Sequence, residues 1–427
     1  MRCGSGKAGA VVIALNWGRR GVTGGGGVKL ADEVSVLRGR TILQIIPRLD
    51  AGGAERTTVD IAEALVRVGA RALVVTEGGR LVPELEAKGG VVIPFPAATK
   101  NPLSMFQNIF RLRALCAREN VDLIHARSRA PAWSAFFAAK QSDTPFVTTY
   151  HGSYSGSSSL KIFYNSIMAR GDFVIANSHY TASLIETLHP FARSQIHVVY
   201  RGTDLQRFSK EAIANERREA LRKIWGVEPH RSIILLAARL TGWKGQRVLI
   251  RAARRLVERG LRDFVVVLAG DAQGRDAYVS ELQAMIREFA LEDHIRLVGH
   301  CSDMPAAFAL ADVVAVPSTE PEAFGRSAVE AQALGTPVVV SDLGAVPETV
   351  LAPPECDEAA RTGWRVPAGD HEALASALGE CLLLSPNVRA TFAIRARQHV
   401  EAHFSLSSMT EKTLHLYGQL VFRPERE

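Results

Sequence analysis

The sequence predicts an α/β protein of two similar halves, each built on a parallel sheet, with a helical segment after the last strand returning to the first half. Three observations lead there. Short, almost wholly apolar strand segments alternate with amphipathic helical ones, the pattern of a parallel sheet covered on both faces. The alternation breaks near Arg201 and then restarts. The chain, at 427 residues, is also too long for one ordinary core.

Residues 1–39 hold a glycine run, Gly24 to Gly27, several arginines and no sustained period; they read as a disordered tail. Structure is expected from Arg40. Thr41–Ile46 reads as a short buried strand, and Ala54–Val68 as a helix with apolar positions at Val59, Ile61, Ala62, Leu65 and Val66. Further strands are expected at Ala72–Thr76, Val91–Phe95, Asp122–Ala126, Pro145–Tyr150, Asp172–Asn177 and His197–Tyr200. A turn-rich stretch from Arg201 to Phe208 precedes a charged helix, Glu211–Trp225. Strands then follow at Ile233–Ala237, Phe264–Ala269, Ile295–Val298, Asp312–Val316, Pro337–Ser341 and Gly363–Val366. The final 40 residues are helical, with an apolar stripe through Leu406, Met409, Leu414, Leu416, Leu420 and Val421 that must be buried, and the first half is available. The expected division is a first domain at 40–203, a second at 204–404, and residues 405–427 completing the first.

Composition narrows the function. Hydrophobic residues at 47% and charged residues at 22% describe a soluble globular protein. A net charge of +7 fits an anionic ligand, an acidic membrane surface or nucleic acid. With no arginine-aromatic recognition motif, nucleic acid is not expected as a partner. Five cysteines stand far apart, without a C-x-x-C pair or a Cys/His cluster at metal spacing, and read as reduced thiols of a cytoplasmic protein. The N-terminal apolar run Ala8–Leu15 is too short to span a bilayer. Any membrane contact is therefore expected to be peripheral. The helix Leu103–Arg118 mixes Phe106, Ile109, Phe110, Leu112 and Leu115 with Arg111, Arg113 and Arg118, compatible with an anionic surface or with ordinary packing.

Four stretches carry chemistry, each at the carboxyl end of an expected strand, where open parallel sheets bind ligands. Gly52 and Gly53 open the first helix and let backbone amides approach a phosphate or sugar. No G-x-G-x-x-G is present, so a dinucleotide fingerprint is absent, which disfavours an NAD dehydrogenase. Arg239 and Lys244 flank a glycine turn and can both address one diphosphate, Arg as a fork and Lys as a compact charge. Glu322 and Glu330 bracket a loop and helix start whose free amides near Phe324 and Gly325 attract anions. Read alone, the two carboxylates suggest an acid/base pair or an exposed helix face. His151 follows the Pro145–Tyr150 strand, ahead of a polar run, Ser153–Ser159. His125, Arg127 and Arg129 stand by the Asp122–Ala126 strand, where they suit an anionic acceptor or a solvated loop, and Asp271 follows Phe264–Ala269.

The order G-G-A-E-R at Gly52–Arg56, A-R-L-x-x-x-K-G at Ala238–Gly245 and E-A-F-G-x-x-x-x-E at Glu322–Glu330 resembles the retaining glycosyltransferases of family 4, over about residues 41–420. The resemblance implies a GT-B fold: two Rossmann-like parallel-sheet domains facing across a cleft. It also implies a hexosyltransferase using a nucleotide diphosphate sugar. Arg239 and Lys244 would neutralise the departing diphosphate, and Glu322 with the amides of Ala323, Phe324 and Gly325 would hold the donor sugar. Glu330 would bind the ribose, and Leu297, Val298 and Gly299 would pack on the base. His151 would face the sugar near the reacting carbon, and Gly52 and Gly53 would lie near donor phosphates or acceptor. No cofactor or metal is expected, because protein cations take the place of a divalent ion. The implied acceptor is a cell-envelope glycan or lipid-linked hydroxyl, of lipopolysaccharide or exopolysaccharide type. A nucleotide-sugar epimerase of the same architecture is the alternative. One departure stands out: Arg201 occupies a position where the family's hinge often carries Asn, which leaves open whether it serves the hinge or a ligand.

Overall fold

The structure, a computed structural model, describes residues 34–50, 52–152 and 158–422. Most of the expected tail, and residues 153–157 of the polar run after His151, lie outside the described residues.

Two parallel sheets organise the chain. The first has seven strands: β1 (Thr41–Ile45), β2 (Arg71–Thr76), β3 (Val91–Pro94), β4 (Val121–Ala126), β5 (Phe146–Tyr150), β6 (Phe173–Ala176) and β7 (Ile196–Val198), ordered β3-β2-β1-β4-β5-β6-β7. The second has six: β8 (Ser232–Ala237), β9 (Phe264–Ala269), β10 (Ile295–Gly299), β11 (Val313–Val316), β12 (Val338–Ser341) and β13 (Trp364–Val366), ordered β10-β9-β8-β11-β12-β13. All pairings are parallel, with β1 between β2 and β4, and β8 between β9 and β11. Each sheet thus reverses its strand order once, at β1/β4 and at β8/β11, and the crevice at such a switch point is where an open α/β sheet takes a ligand.

The continuous apolar strands are explained by burial on both faces. Ile234 and Leu236 of β8 point into one helix-covered core, Ile233 and Leu235 into the other. The first sheet divides its core in the same way, with Leu43 and Ile45 on one side and Ile42 on the other.

The expected C-terminal helical run is broken in two, Pro386–His403 and Leu406–Val421, with Phe404 between them and Ser405 capping the second helix through Oγ. The second helix buries Met409, Leu414, Leu416, Tyr417 and Leu420 among first-sheet residues. Tyr417 Oη lies 2.5 Å from His125 Nδ1, and His125 Nε2 lies 2.8 Å from Thr149 Oγ1. His125 is therefore an internal tie between helix and sheet, not the acceptor contact its position suggested.

The chain passes between the domains twice, at Thr203 and at Ser405, and the two crossings pair there: Thr203 N donates to Phe404 O at 2.8 Å and Leu406 N to Thr203 O at 3.0 Å. No helix among the described residues is long and apolar enough to cross a membrane.

Candidate active site

Both switch points open on one cleft of about 1340 Å³ between the domains. The loops after β8 and β11 form one wall, and those after β1, β5 and β7 the other. Residues almost 80 apart in sequence meet here because adjacent parallel strands end at the same edge of a sheet.

On the second-domain wall, Gly245 makes the loop after β8 possible. It sits at φ +77°, caps the helix Gln246–Glu258, and a Cβ there would run into the Pro317 carbonyl. The tight turn places Lys244 Nζ 2.5 Å from Glu322 Oε1, which also accepts from Ser318 Oγ at 2.6 Å. Lys244 lies 4.2 Å from the centroid of the Trp243 ring, a cation–π contact. Arg239 is exposed in the cleft with no ion-pair partner among the described residues. The pair thus differs: Lys244 is held by a carboxylate, and Arg239 has no ion-pair partner among the described residues.

The loop after β11 is fixed by backbone. Ala345 N donates to Glu322 O at 2.8 Å. Gly325, at φ +80°, caps the helix Arg326–Ala333, and the amides of Ala323, Phe324 and Gly325 donate to no carbonyl among the described residues. The Phe324 side chain is buried against Tyr200 and Phe404, so only its backbone faces the cleft.

On the first-domain wall, Gly52 and Gly53 begin the helix Gly53–Arg67. His151 Nε2 donates to the Arg127 carbonyl at 3.0 Å, since a carbonyl only accepts, and Nδ1 therefore accepts from Arg201 Nη2 at 3.2 Å. Burial and the guanidinium groups of Arg201 and Arg127 hold the His151 imidazole well below the usual histidine range. A neutral ring with both nitrogens engaged orients its neighbours and has no lone pair left to act as a base. Gly152, at φ +131°, touches the opposite domain: a Cβ on it would stand 2.7 Å from Ala323 Cβ.

The cleft therefore gathers Gly52, Gly53, His151, Arg239, Lys244, Glu322, Ala323, Phe324 and Gly325, and Asp271 with them. Five expected residues are placed otherwise. Leu297 and Val298 turn into the two cores on either side of the second sheet, and neither they nor Gly299 line the cleft; His300 and Cys301, the next two residues, do. Strand alternation inside a doubly covered sheet leaves side chains of β10 no third direction. Glu330 is buried one turn below the cleft wall, and its Oε1 accepts from Arg326 Nε at 2.6 Å. Arg127 is also fully buried, with Nε and Nη2 lacking a partner.

The structure adds lining residues that the sequence reading passed over: Arg326, Asn177 and, as more than a hinge oddity, Arg201. The i, i+4 spacing of Arg326 and Glu330 was a usable signal for their pairing. Asn177 had none; it lines the cleft with a buried Nδ2 that lacks a partner.

Two facing parallel-sheet domains, with paired cations, a carboxylate and free amides at one switch point and a glycine-opened helix at the other, define a GT-B glycosyltransferase. Residues 51–207 match the model for Glycosyltransferase Family 4, and residues 217–399 that for Glycosyl transferases group 1. A D-inositol 3-phosphate glycosyltransferase of Saccharomonospora viridis is 30% identical over 403 residues, covering 87% of this chain and 90% of the relative. A glycosyltransferase of Rickettsia africae superposes with a TM-score of 0.81 at 31% identity, over 90% of this chain and all of that one. HepE of Anabaena, solved in complex with UDP and glucose, superposes with a TM-score of 0.75 at 25% identity, over 89% of this chain and all of HepE. The chain belongs to glycosyltransferase family 4, within the group 1 glycosyl transferases, and is an enzyme of the transferase class.

Proposed function

We propose that the enzyme moves a hexose from a nucleoside diphosphate sugar to an acceptor hydroxyl with retention of configuration. One observation carries the reading: a single cleft sets Arg239 and the Lys244–Glu322 pair opposite Gly52, Gly53 and His151. Breaking a glycosyl–phosphate bond leaves negative charge on the phosphate and positive charge on the ring. Arg239 and Lys244 stabilise the first. Glu322 and the amides of Ala323, Phe324 and Gly325 hold the sugar. The free Oε2 of Glu330 takes a ribose hydroxyl once Arg326 yields to the nucleotide. The acceptor oxygen attacks the face that the phosphate leaves, and its proton passes to a departing phosphate oxygen. His151, neutral and fully hydrogen-bonded, positions the sugar and takes no proton.

The complex of HepE with UDP and glucose supports a nucleotide-sugar donor here. The decisive experiment is a panel of UDP-, GDP- and ADP-sugars scored for thermal protection and donor consumption. One donor should be protective and consumed, with full turnover in EDTA; a panel in which none protects and none is consumed overturns the reading. Activity lost in EDTA and restored by Mg²⁺ overturns metal independence alone.

For the acceptor we favour a cell-envelope glycan or lipid-linked saccharide met at the cytoplasmic membrane surface. The helix Pro102–Glu119 supports it: Leu103, Phe106 and Phe110 face outward at 66%, 57% and 49% exposure, alongside exposed Arg111, Arg113 and Arg118. Sedimentation with anionic but not neutral vesicles is expected, and recovery wholly in the supernatant sinks the membrane surface. The relatives that act on D-inositol 3-phosphate favour a second reading, a phosphorylated cyclitol, which an acceptor screen separates from the first. The relatives reported above are transferases, and formation of an epimerised product from donor alone is not expected.

A further inference from the structure

One cation of the cleft has no task in that mechanism. Arg201 follows β7 in the hinge and lines the first-domain wall. The hinge does not need its side chain, because the crossings pair through the backbone of Thr203, Phe404 and Leu406. Arg201 forms no ion pair among the described residues, and beyond the Nη2 bond to His151 its donors are unengaged there.

Cations predominate around it, with two carboxylates, Glu55 and Glu322, also near. Nη1 lies over Gly53, close enough that a Cβ there would collide with it. The guanidinium therefore rests on the first residue of the helix Gly53–Arg67, at the positive end of the helix dipole, where a cation is repelled. Burial, with Arg326 and Arg127 nearby, brings the Arg201 pKa down to about 10, while Glu55 and Glu322 act in its favour. It remains charged at neutral pH. Glycine makes room for the guanidinium, the unspent amides of the helix start lie beside it, and more guanidinium groups stand behind. That geometry suits a phosphate.

We propose that Arg201 is a phosphate-binding residue of the cleft, supplied from the hinge on the wall opposite Arg239 and Lys244. The proposal rests on the nucleotide-sugar reading. His151 Nδ1 accepts from Nη2 and holds the guanidinium in place, and phosphate oxygens take up Nε and Nη1. The phosphate belongs either to the donor diphosphate or to the acceptor.

Calorimetric titration of wild type, R201N, R201Q, R201K and R239A with inorganic pyrophosphate tests the donor source. Wild type should bind, R239A should weaken, and R201N and R201Q should weaken about tenfold or more, as loss of a charge-assisted contact implies. R201K should recover part of the affinity, which a purely packing role would not allow; melting temperatures show which variants are folded. A second arm titrates inorganic phosphate into protein saturated with the tightest binder among UDP, GDP and ADP. Binding lost only in that arm assigns the phosphate to the acceptor. Wild-type affinity of R201N and R201Q in both arms, or a wild type that binds neither probe, overturns the proposal. If that happens while R239A is weakened, the nucleotide-sugar reading stands; unchanged pyrophosphate binding by R239A counts against that reading instead.

Discussion

Lys244 and Glu322 pair with each other, and this shapes what their substitution should do. On the proposed function, nucleotide binding draws Lys244 away from a carboxylate 2.5 Å off, so part of its charge becomes available only when phosphate arrives. Removing the cation in K244A should lower kcat about a hundredfold, the scale of losing one stabiliser of developing charge. Steady-state kinetics with the donor found by screening measures it. E322Q should separate binding from chemistry. With the opposing carboxylate gone, UDP or its equivalent should bind several-fold more tightly, while transfer falls at least tenfold because the sugar loses its anchor. Tighter binding with unimpaired transfer would remove Glu322 from the sugar site. The pairing of the two residues was legible from motif order; their direct contact was not, because 77 residues lie between them and only the β8/β11 switch point closes the gap.

At the level of elements, glycines decide where loops can stand. Gly245 and Gly299 both have positive φ, +77° and +69°, but a Cβ on Gly245 meets a carbonyl and one on Gly299 meets open space. G299A should therefore cost about 1 kcal/mol, the left-handed penalty alone, and G245A clearly more. Denaturant unfolding that shows equal losses contradicts the collision argument. A second element-level device joins the domains. Glu348, from the short helix Val346–Thr349 of the second domain, accepts from the amides of His179 and Tyr180 at 2.7 and 2.6 Å, and from Tyr200 Oη at 3.0 Å. A carboxylate on the first amides of the helix His179–Leu188 complements its dipole and ties it to the other domain. E348Q should weaken that tie by about 1–2 kcal/mol, seen as faster hydrogen exchange at His179 and Tyr180 than at amides inside the helix.

For the whole molecule, acid should be the destabilising direction. The pKa values of His125, which is buried, and His151, which is half-buried, lie well below the ordinary histidine value, and burial with the nearby His403 brings His399 down to about 4. Unfolding frees these rings to bind protons near pH 6.5, so between about 6.5 and 4 the unfolded chain holds more protons and stability falls as pH drops. Asp60, raised to about 6 chiefly by burial, acts the other way and offsets part of the loss. A thermal midpoint that stays flat from pH 7 to 4.5 would remove the histidines from the balance. All thirteen strands of the two sheets were legible to within two residues, because apolar runs bounded by glycine, proline and polar residues leave few other conformations. Motif order likewise sufficed for the family, since Gly52–Gly53, Arg239–Lys244 and Glu322–Glu330 each follow a strand. Tertiary structure alone decided that Leu297 and Val298 belong to the cores, that Glu330 is held by Arg326, and that His151 is a neutral ring tied to Arg201. Strand order, burial and domain apposition set those contacts, and they depend on residues too distant in sequence for any local pattern to record.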